Sequence, residues 1–125
     1  MVQLLTKLSI SDNSGARLAK CIRVLTPVSY YSFIQGKPGS VLIVNIRRII
    51  ANKRKIKKGS IYKALLVRGT IIVKRVVGFL AFNENSIILL KKTGDPFGTR
   101  IHGILSYDVR FFKNTRILSL SEGVL

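Results

Sequence analysis

The chain has 125 residues, 47% of them hydrophobic, which suits one folded domain and argues against a disordered chain. Lysine and arginine number 22 against 5 acidic residues, so the net charge is +17 and the pI is about 10.9. A compact domain with this surplus repels itself and predicts a polyanionic partner, with nucleic acid first and an anionic membrane surface as the alternative.

The first half of the chain predicts β-strands, because apolar residues alternate with polar ones and turn signals separate the runs. The turn signals are residues 12–15 (DNSG) and residues 36–39 (GKPG). The apolar residues predicted to share one face of each strand are Leu4, Leu8 and Ile10, then Leu18, Ile22 and Val24, then Leu42, Val44 and Ile46. In the second strand, the residues predicted to face the opposite way are Arg17, Ala19, Cys21 and Arg23.

The second half predicts further strands at residues 61–68, 79–82 and 87–90, and a turn at residues 94–98. Residues 104–112 predict one or two helical turns with Ser106 as a cap, and residues 116–120 predict a strand. Short strands at this spacing favour a small barrel or sandwich, and a closed barrel would leave no exposed sheet edge. The chain has no internal repeat or linker, so we predict one domain.

Catalytic and metal-binding signals are weak. Cys21 and His102 are the only cysteine and histidine, which excludes an intrachain disulfide and a Cys/His zinc site. Cys21 in mid-strand predicts a small buried residue rather than a nucleophile. The five acids are isolated, and no phosphate-binding Gly-x-x-x-x-Gly-Lys-Ser/Thr loop is present. We therefore predict no enzyme activity, no cofactor and no metal.

The densest charge lies at residues 53–58 (KRKIKK), where five bases occur within six residues and no acid is near. A solvated loop is the alternative, but such a cluster is costly unless phosphates neutralise it. Other bases lie on strands, where guanidinium groups suit phosphates or, alternatively, cover the core with their stems. The predicted RNA-binding residues are Arg17, Arg23, Arg47, Arg48, Lys53, Arg54, Lys55, Lys57, Lys58, Lys63, Arg68, Lys74 and Arg75.

Lys20 is left out of this set because it shares a strand parity with apolar residues. Tyr30, Tyr31 and Phe33 form an aromatic group near a turn. Their rings suit base stacking, a barrel plug or a protein contact, and the sequence leaves these three roles open.

Five segments, in order along nearly the whole chain, resemble the universal large-subunit ribosomal protein number fourteen family. They are residues 12–17 (DNSGAR) with 21–25 (CIRVL), residues 57–59 (KKG) with 63–68 (KALLVR), residues 82–85 (FNEN) with 87–90 (IILL), residues 94–101 (GDPFGTRI), and residues 117–120 (ILSL). The resemblance implies a mainly-β fold, a small closed five-stranded β-barrel at about residues 1–92 with a short C-terminal α/β extension at about 93–125.

The resemblance also implies a structural role in the large ribosomal subunit. The implied partners are large-subunit rRNA, small-subunit rRNA across an intersubunit bridge, and the ribosomal proteins numbered three and nineteen. A ribosome-silencing factor is implied at the 98–101 turn and the last strand, on Thr99, Arg100, Arg116 and Ser119. The alternative is a free nucleic-acid-binding protein on a small barrel.

Composition suggests where the chain works. It is rich in Ile, Lys, Asn, Phe and Tyr and poor in Ala and Glu, as an A/T-rich coding sequence would make it. Residues 1–10 show no organellar presequence pattern, and no apolar stretch approaches the ~20 residues of a membrane helix. We expect a mitochondrial ribosome and no membrane, with a plastid or a bacterial cytoplasm as the alternatives.

Overall fold

A computed structural model describes residues 2–25, 36–50, 55–112 and 114–125. Strands account for 46% and helices for 10%, so the predicted mainly-β class is confirmed. The strands are β1 Lys7–Ile10, β2 Ala16–Val24, β3 Val41–Ile49, β4 Ile61–Arg68, β5 Val73–Arg75, β6 Gly78–Leu80, β7 Ser86–Leu90, β8 Ile104–Leu105 and β9 Gly123–Val124. The helices are a 3₁₀ helix at Tyr107–Phe112 and the α-helix α1 at Thr115–Leu120.

Five strands close into a barrel in the order β1-β2-β3-β4-β7, which confirms the predicted architecture. Neighbouring strands are antiparallel except at the closure, where β1 runs parallel to β7 with Ser9 opposite Ser86. β5 and β6 form a separate hairpin, and β8 and β9 form a parallel pair. Closure pairs every strand of the barrel on both sides, so no long edge is left unpaired.

The barrel interior alternates large and small side chains. Leu8 and Ile46 lie on either side of Ala19 in register, and all three are fully buried. The predicted inward residues of β3, Leu42 and Val44 among them, are confirmed. Cys21 is also buried in the interior, as predicted for a small mid-strand residue.

Arg17 and Arg23 face outward and Val24 faces inward as predicted, but the facing predicted for the other residues of β2 is wrong. Ala19 and Cys21 lie inside, whereas Leu18 is only half-buried and Ile22 is exposed. The register between β2 and β3 shifts three times. Two of the shifts place an extra residue in β2, at Arg17 and at Ile22, and each of these moves the later residues of β2 to the other side of the sheet relative to strict alternation. Leu4 is likewise exposed, because it lies in a turn before β1 begins.

The C-terminal segment covers one outer side of the barrel. Leu65, Val67, Ile88 and Leu90 point outward from β4 and β7 into a second hydrophobic cluster. The segment supplies Leu105, Val109 and Ile117 to that cluster, each nearly or fully buried. Because β7 is buried on both faces, all five of its residues are buried, and its sequence is a continuous apolar run after Ser86.

Residues 116–120, predicted as a strand, form most of α1 instead. Asn114 begins the helix as its N-cap, and its side-chain oxygen accepts a hydrogen bond from the Arg116 backbone N–H at 3.0 Å. The helix buries Ile117 against the barrel. The helical turns predicted at 104–112 occur at Tyr107–Phe112, preceded by β8.

Candidate nucleic-acid interface

Two irregularities of the β2–β3 ladder gather three arginines. Register shifts flank the pair Leu18–Arg48 on both sides, and each leaves one arginine, Arg17 or Arg47, as an extra residue without a partner across the ladder. A bulge of this kind re-aims the side chain of its extra residue. Arg17, Arg47 and Arg48 are all exposed at the same end of the ladder.

The β3–β4 loop brings three lysines to that end. Ile56 is buried in the barrel core while Lys55, Lys57 and Lys58 beside it are exposed, so the one apolar residue anchors the loop. The loop base is fixed by Gly59, whose N–H donates to the Ile46 carbonyl at 2.8 Å. Lys53 and Arg54, which the sequence also predicted as RNA contacts, lie outside the described residues, as do Tyr30, Tyr31 and Phe33.

We call Arg17, Arg47, Arg48, Lys55, Lys57 and Lys58 the basic end. Further cations continue along the outer side of β1–β3. Lys7 lies opposite Lys20, and Lys20 lies opposite Asn45, so the three form one row across neighbouring strands. Neighbouring strands are about 4.8 Å apart, which gives a closely spaced row of donors. The sequence interpretation missed Lys7. It also left out Lys20 on strand parity, which was wrong, because Lys20 lies between the inward Ala19 and Cys21 and therefore faces outward.

A second row leads into a groove. Arg23, Ile43, Lys63 and Leu90 are in register across four strands. The lysine groove is a cavity of about 640 Å³ lined by Ile43, Ile61, Tyr62, Lys63, Leu90, Lys91, Lys92 and Phe97. Lys91 and Lys92 were not predicted, although two adjacent lysines directly after an apolar run are a signal that the sequence carries.

Arg68, one of the predicted RNA contacts, has internal partners instead. Its guanidinium donates to the His102 carbonyl at 3.1 Å, to the Ser11 hydroxyl at 2.6 Å and to the Ser86 hydroxyl at 3.1 Å. Glu84 lies 3.6 Å away, and the Arg68 side chain is only 14% exposed. Arg68 therefore ties the barrel closure to the C-terminal segment, and we assign it to the architecture.

Arg75, on the β5–β6 hairpin, is held in a similar way. Its guanidinium donates to the Asp108 carboxylate at 2.9 Å and to the Ser106 hydroxyl at 3.2 Å. Burial raises the pKa of Asp108, but the hydrogen bonds from Arg75 and Ser106 and the charge of Arg75 outweigh it, so this pKa lies below its ordinary value of 3.8. Lys74, on the same strand, is exposed.

Thr99 and Arg100 lie in a turn between β7 and β8, and both are exposed. Asn13 holds this turn: its side-chain oxygen accepts from the Thr99 N–H at 2.7 Å and from the Arg100 N–H at 3.1 Å. Its amide nitrogen donates to the Thr99 hydroxyl at 2.7 Å. At Gly98 a Cβ would lie 2.7 Å from the Asn13 oxygen, so the turn requires glycine for close approach.

The neighbouring Asp12 fixes the same turn to the barrel. Its carboxylate accepts from the Leu89 N–H at 3.0 Å, from the Ser14 N–H at 3.1 Å, and from the Ser14 hydroxyl. Burial raises the pKa of Asp12 above its ordinary value, although these hydrogen bonds oppose the shift. Asp12 therefore supports the turn predicted at residues 12–15, and it also reaches across to β7.

Arg116 and Ser119, the other half of the predicted factor patch, are exposed on α1. They are three residues apart and so share one face of the helix. The Ile101 N–H donates to the Leu120 carbonyl at 3.3 Å, which joins the end of α1 to the segment that follows Arg100. The two halves therefore lie on adjoining segments, and we call Thr99, Arg100, Arg116 and Ser119 the factor patch.

The model of one protein family, described as ribosomal protein L14p/L23e, matches residues 1–125, the whole chain. The chain belongs to the ribosomal protein L14p/L23e family. Membership assigns it a structural role in the large ribosomal subunit and a location in the ribosome. Its partners as a family member are rRNA and ribosomal proteins of that subunit.

The L14p/L23e family is a structural, non-enzymatic one. Burial raises the pKa of the Cys21 thiol, which opposes formation of a nucleophilic thiolate. Among the described ranges, no group of three His, Cys, Asp or Glu residues is placed to hold a metal ion. No helix within the described part of the chain has the length and apolar character to span a membrane.

Proposed function

We propose that this ribosomal protein binds large-subunit rRNA through the basic end and the cations on the outer side of β1–β3. The observation that carries the proposal is the distribution of charge. The ion pairs among the described residues join Arg68 to Glu84, Arg75 to Asp108, and Arg116 to Asp95. None involves the basic end, so its six exposed cations are left for phosphates.

The binding mode follows from the supports of these cations. Arg17 and Arg47 are displayed by bulges on a closed barrel, and the lysines by a loop anchored through Ile56. A rigid platform of this kind suits phosphate and ribose contacts with folded RNA. The major groove of A-form RNA is poorly accessible to side chains, so readout is of RNA shape.

The experiment measures affinity for large-subunit rRNA as a function of salt. Replacing Lys55, Lys57 and Lys58 together with serine removes three exposed cations, so log affinity against log salt becomes shallower by roughly 1 for each lost phosphate contact. A control variant replaces Lys37 and Arg110, which are also exposed but lie outside the basic end and the factor patch, and should keep the wild-type slope. An unchanged slope for the first variant contradicts phosphate contact at this loop.

We further propose that the factor patch takes part in an intersubunit bridge with small-subunit rRNA and receives a ribosome-silencing factor, as the family resemblance implies. Support comes from exposure of all four side chains on two adjoining segments. Arg100→Ala should impair subunit joining or factor binding while leaving the folded chain intact, because its side chain is exposed. A variant that fails to fold would make Arg100 a structural residue.

We also propose contacts with neighbouring proteins, which the resemblance gives as ribosomal proteins three and nineteen. The β5–β6 hairpin supports this proposal. Val76 and Val77 at its tip are fully exposed, and Phe79 is 77% exposed. An apolar tip of this kind favours a protein contact in the assembled subunit.

The mitochondrial ribosome remains our proposed location, on amino-acid composition alone. Sedimentation of lysates from purified organelles and from cytoplasm tests it. Comigration of the chain with large subunits of the organelle, lost after ribonuclease treatment, is the expected result. Comigration with cytoplasmic large subunits alone would contradict the organellar assignment.

A further inference from the structure

The lysine groove combines an apolar floor with cationic side chains. The floor is formed by Ile43, Ile61 and Leu90 from three neighbouring strands, with Phe97 from the turn after β7. Three lysines supply the positive charge, and all are exposed: Lys63, which lies in register between Ile43 and Leu90, and Lys91 and Lys92 directly after β7. At about 640 Å³ the cavity is within the range of sites that hold small organic groups.

The groove lies where the covering of the barrel stops. Further along the same strands, outward residues such as Leu65 and Ile88 are fully buried beneath the C-terminal segment. Ile61, in contrast, is 62% exposed although it lies on the same outer side of β4. This apolar surface is left without cover from the described residues.

One wall of the groove is rigid. Tyr62 and Phe97 meet edge to face, with ring centroids 5.7 Å apart and planes at 76°. Both rings also pack against the hydrophobic core of the barrel interior. A flat group entering the groove would therefore meet fixed aromatic and aliphatic surfaces, which is the setting that base stacking uses.

Charge selects the occupant. The lining contains three lysines and no acid, and Arg23 extends the same row beyond Ile43. A nucleotide carries a flat apolar group and an adjoining anion in one unit, which matches the floor and the lysines together. An apolar protein segment would fill the floor but would leave three cations desolvated unless it brought acids of its own.

We propose that the lysine groove receives one unstacked nucleobase of large-subunit rRNA, with the phosphates beside that base held by Lys63, Lys91 and Lys92. The inference rests on the proposed RNA binding and adds a base-binding slot to an interface otherwise built on phosphate contacts. The floor offers packing without side-chain hydrogen-bond donors or acceptors among Ile43, Ile61 and Leu90. Apolar contact with this floor does not by itself select one base, since stacking is tolerant of sequence.

The test replaces Ile61 with asparagine, which spoils the apolar floor without changing charge. Ile72→Asn is the matched control, because Ile72 is 67% exposed and lies outside the groove. Affinity for purified large-subunit rRNA is measured by filter binding over a salt series. The bound RNA is then probed with base-specific chemical reagents.

We expect Ile61→Asn to weaken binding about tenfold, the effect of losing one stacked base, with the salt slope unchanged. One nucleotide protected by the wild-type chain should become reactive in this variant, and Ile72→Asn should behave as wild type. Lys91→Ser, which leaves the floor intact, should weaken binding and lower the slope. Thermal unfolding of each variant checks that the fold is retained.

The outcomes separate the two proposals. Wild-type affinity and footprint for Ile61→Asn would overturn the nucleobase slot, while RNA binding by the wild-type chain would leave the proposed function standing. No binding of rRNA by the wild-type chain would overturn both. A third outcome is that no nucleotide changes its reactivity with Ile61→Asn, while the groove becomes inaccessible to solvent once the subunit is assembled. That result would mean that a protein covers the groove, and it would also overturn the slot.

Discussion

The barrel has two outer sides that differ in the side chains they direct away from the interior. On the covered side, β4 and β7 direct Leu65 and Ile88 into apolar contacts with the C-terminal segment. On the basic side, β1–β3 direct Lys20, Arg23 and Arg48 outward. The interior is apolar behind both. In this barrel the outward apolar positions are covered by a segment of the same chain, whereas the outward cationic positions are the ones we propose for a polyanion.

β3 passes from one side to the other. Its outward residues begin with Val41, which packs against the second hydrophobic cluster, and continue through Ile43 at the lysine groove to Arg48 at the basic end. A single strand therefore changes from an apolar to a cationic outer face within nine residues. The groove lies at the transition, which is why it has both characters.

The largest effect should distinguish two isoleucines on the two sides of this transition. Ile88→Ala removes a fully buried side chain from beneath the C-terminal segment and should lower the free energy of unfolding by about 2–4 kcal/mol. Ile61→Ala, in the open groove, should change it by roughly 0.5 kcal/mol or less. Urea unfolding of both variants measures the difference. Equal losses would contradict the division of the barrel into a covered and an uncovered side.

Two arginines sharpen the comparison next. Arg68→Ala should destabilise the chain by about 1.5–3 kcal/mol, because it removes charged hydrogen bonds to Ser86 and the His102 carbonyl. Arg48→Ala should leave stability within roughly 0.5 kcal/mol, since Arg48 is exposed. RNA binding should show the reverse order, with a shallower salt slope for Arg48→Ala alone. A loss of slope with Arg68→Ala in the folded chain would return Arg68 to the RNA contacts.

A smaller effect is expected at the turn that carries Thr99 and Arg100. Asn13→Ala removes the hydrogen bonds to Thr99 and Arg100 and should cost about 1 kcal/mol of stability, because the site is partly solvated. The stronger consequence should be reduced binding at the factor patch, measured with a silencing factor or by subunit joining. Asn13→Asp, which keeps an acceptor for both N–H groups, is the matched control. Full patch function in Asn13→Ala would show that the turn holds its shape without Asn13.

The smallest effect concerns pH. The lowered pKa of Asp108 means that its contribution to stability is present above the ordinary carboxyl value of 3.8 and is lost as pH falls through the lowered value. Asp108→Asn should therefore be less stable than wild type at neutral pH, with the gap closing below about pH 3.8. Unfolding at a series of pH values measures the gap. A gap that widens on acidification would contradict the assigned pairing with Arg75.

Asp12 should act with the opposite sign. Burial raises its pKa, so the preference of the fold for its protonated form is fully present below the ordinary value and is lost as pH rises through the raised one. The same acid titration of an Asp12→Asn variant serves as the control for the direction of the Asp108 effect.

The sequence was sufficient where local pattern and tertiary burial agree. Leu42, Val44 and Ile46 alternate in sequence and lie inside as predicted, and the barrel expected from the family resemblance is present. The predicted facing of β2 was wrong in its middle because bulges break strict alternation. A bulge depends on the partner strand and not only on the residues that contain it. The strand predicted at residues 116–120 was wrong because the alternating pattern there is too short to distinguish a strand from a helix. The capping side chain of Asn114 favours the helix.

Site prediction had a different limit. Composition and charge runs identified Arg48 and Lys57 as exposed cations, but they also selected Arg68, whose partners Ser11 and His102 are distant in sequence. Whether a cation has an internal partner depends on contacts that no local pattern encodes. The lysine groove was missed for the same reason, since its residues come from three strands and a turn.

The parallel pairing of β1 with β7 has a consequence for synthesis. Ser9 meets Ser86 across the closure, so the first strand of the barrel waits for nearly eighty residues to follow before its last neighbour arrives. Contacts so distant in sequence form slowly, and an unpaired strand is prone to wrong association while it waits. We expect the antiparallel β2–β3–β4 meander to form first on the emerging chain. That meander already carries the basic end, so the proposed RNA binding predicts that rRNA engages the chain before the barrel has closed and that assembly of the subunit helps complete the fold.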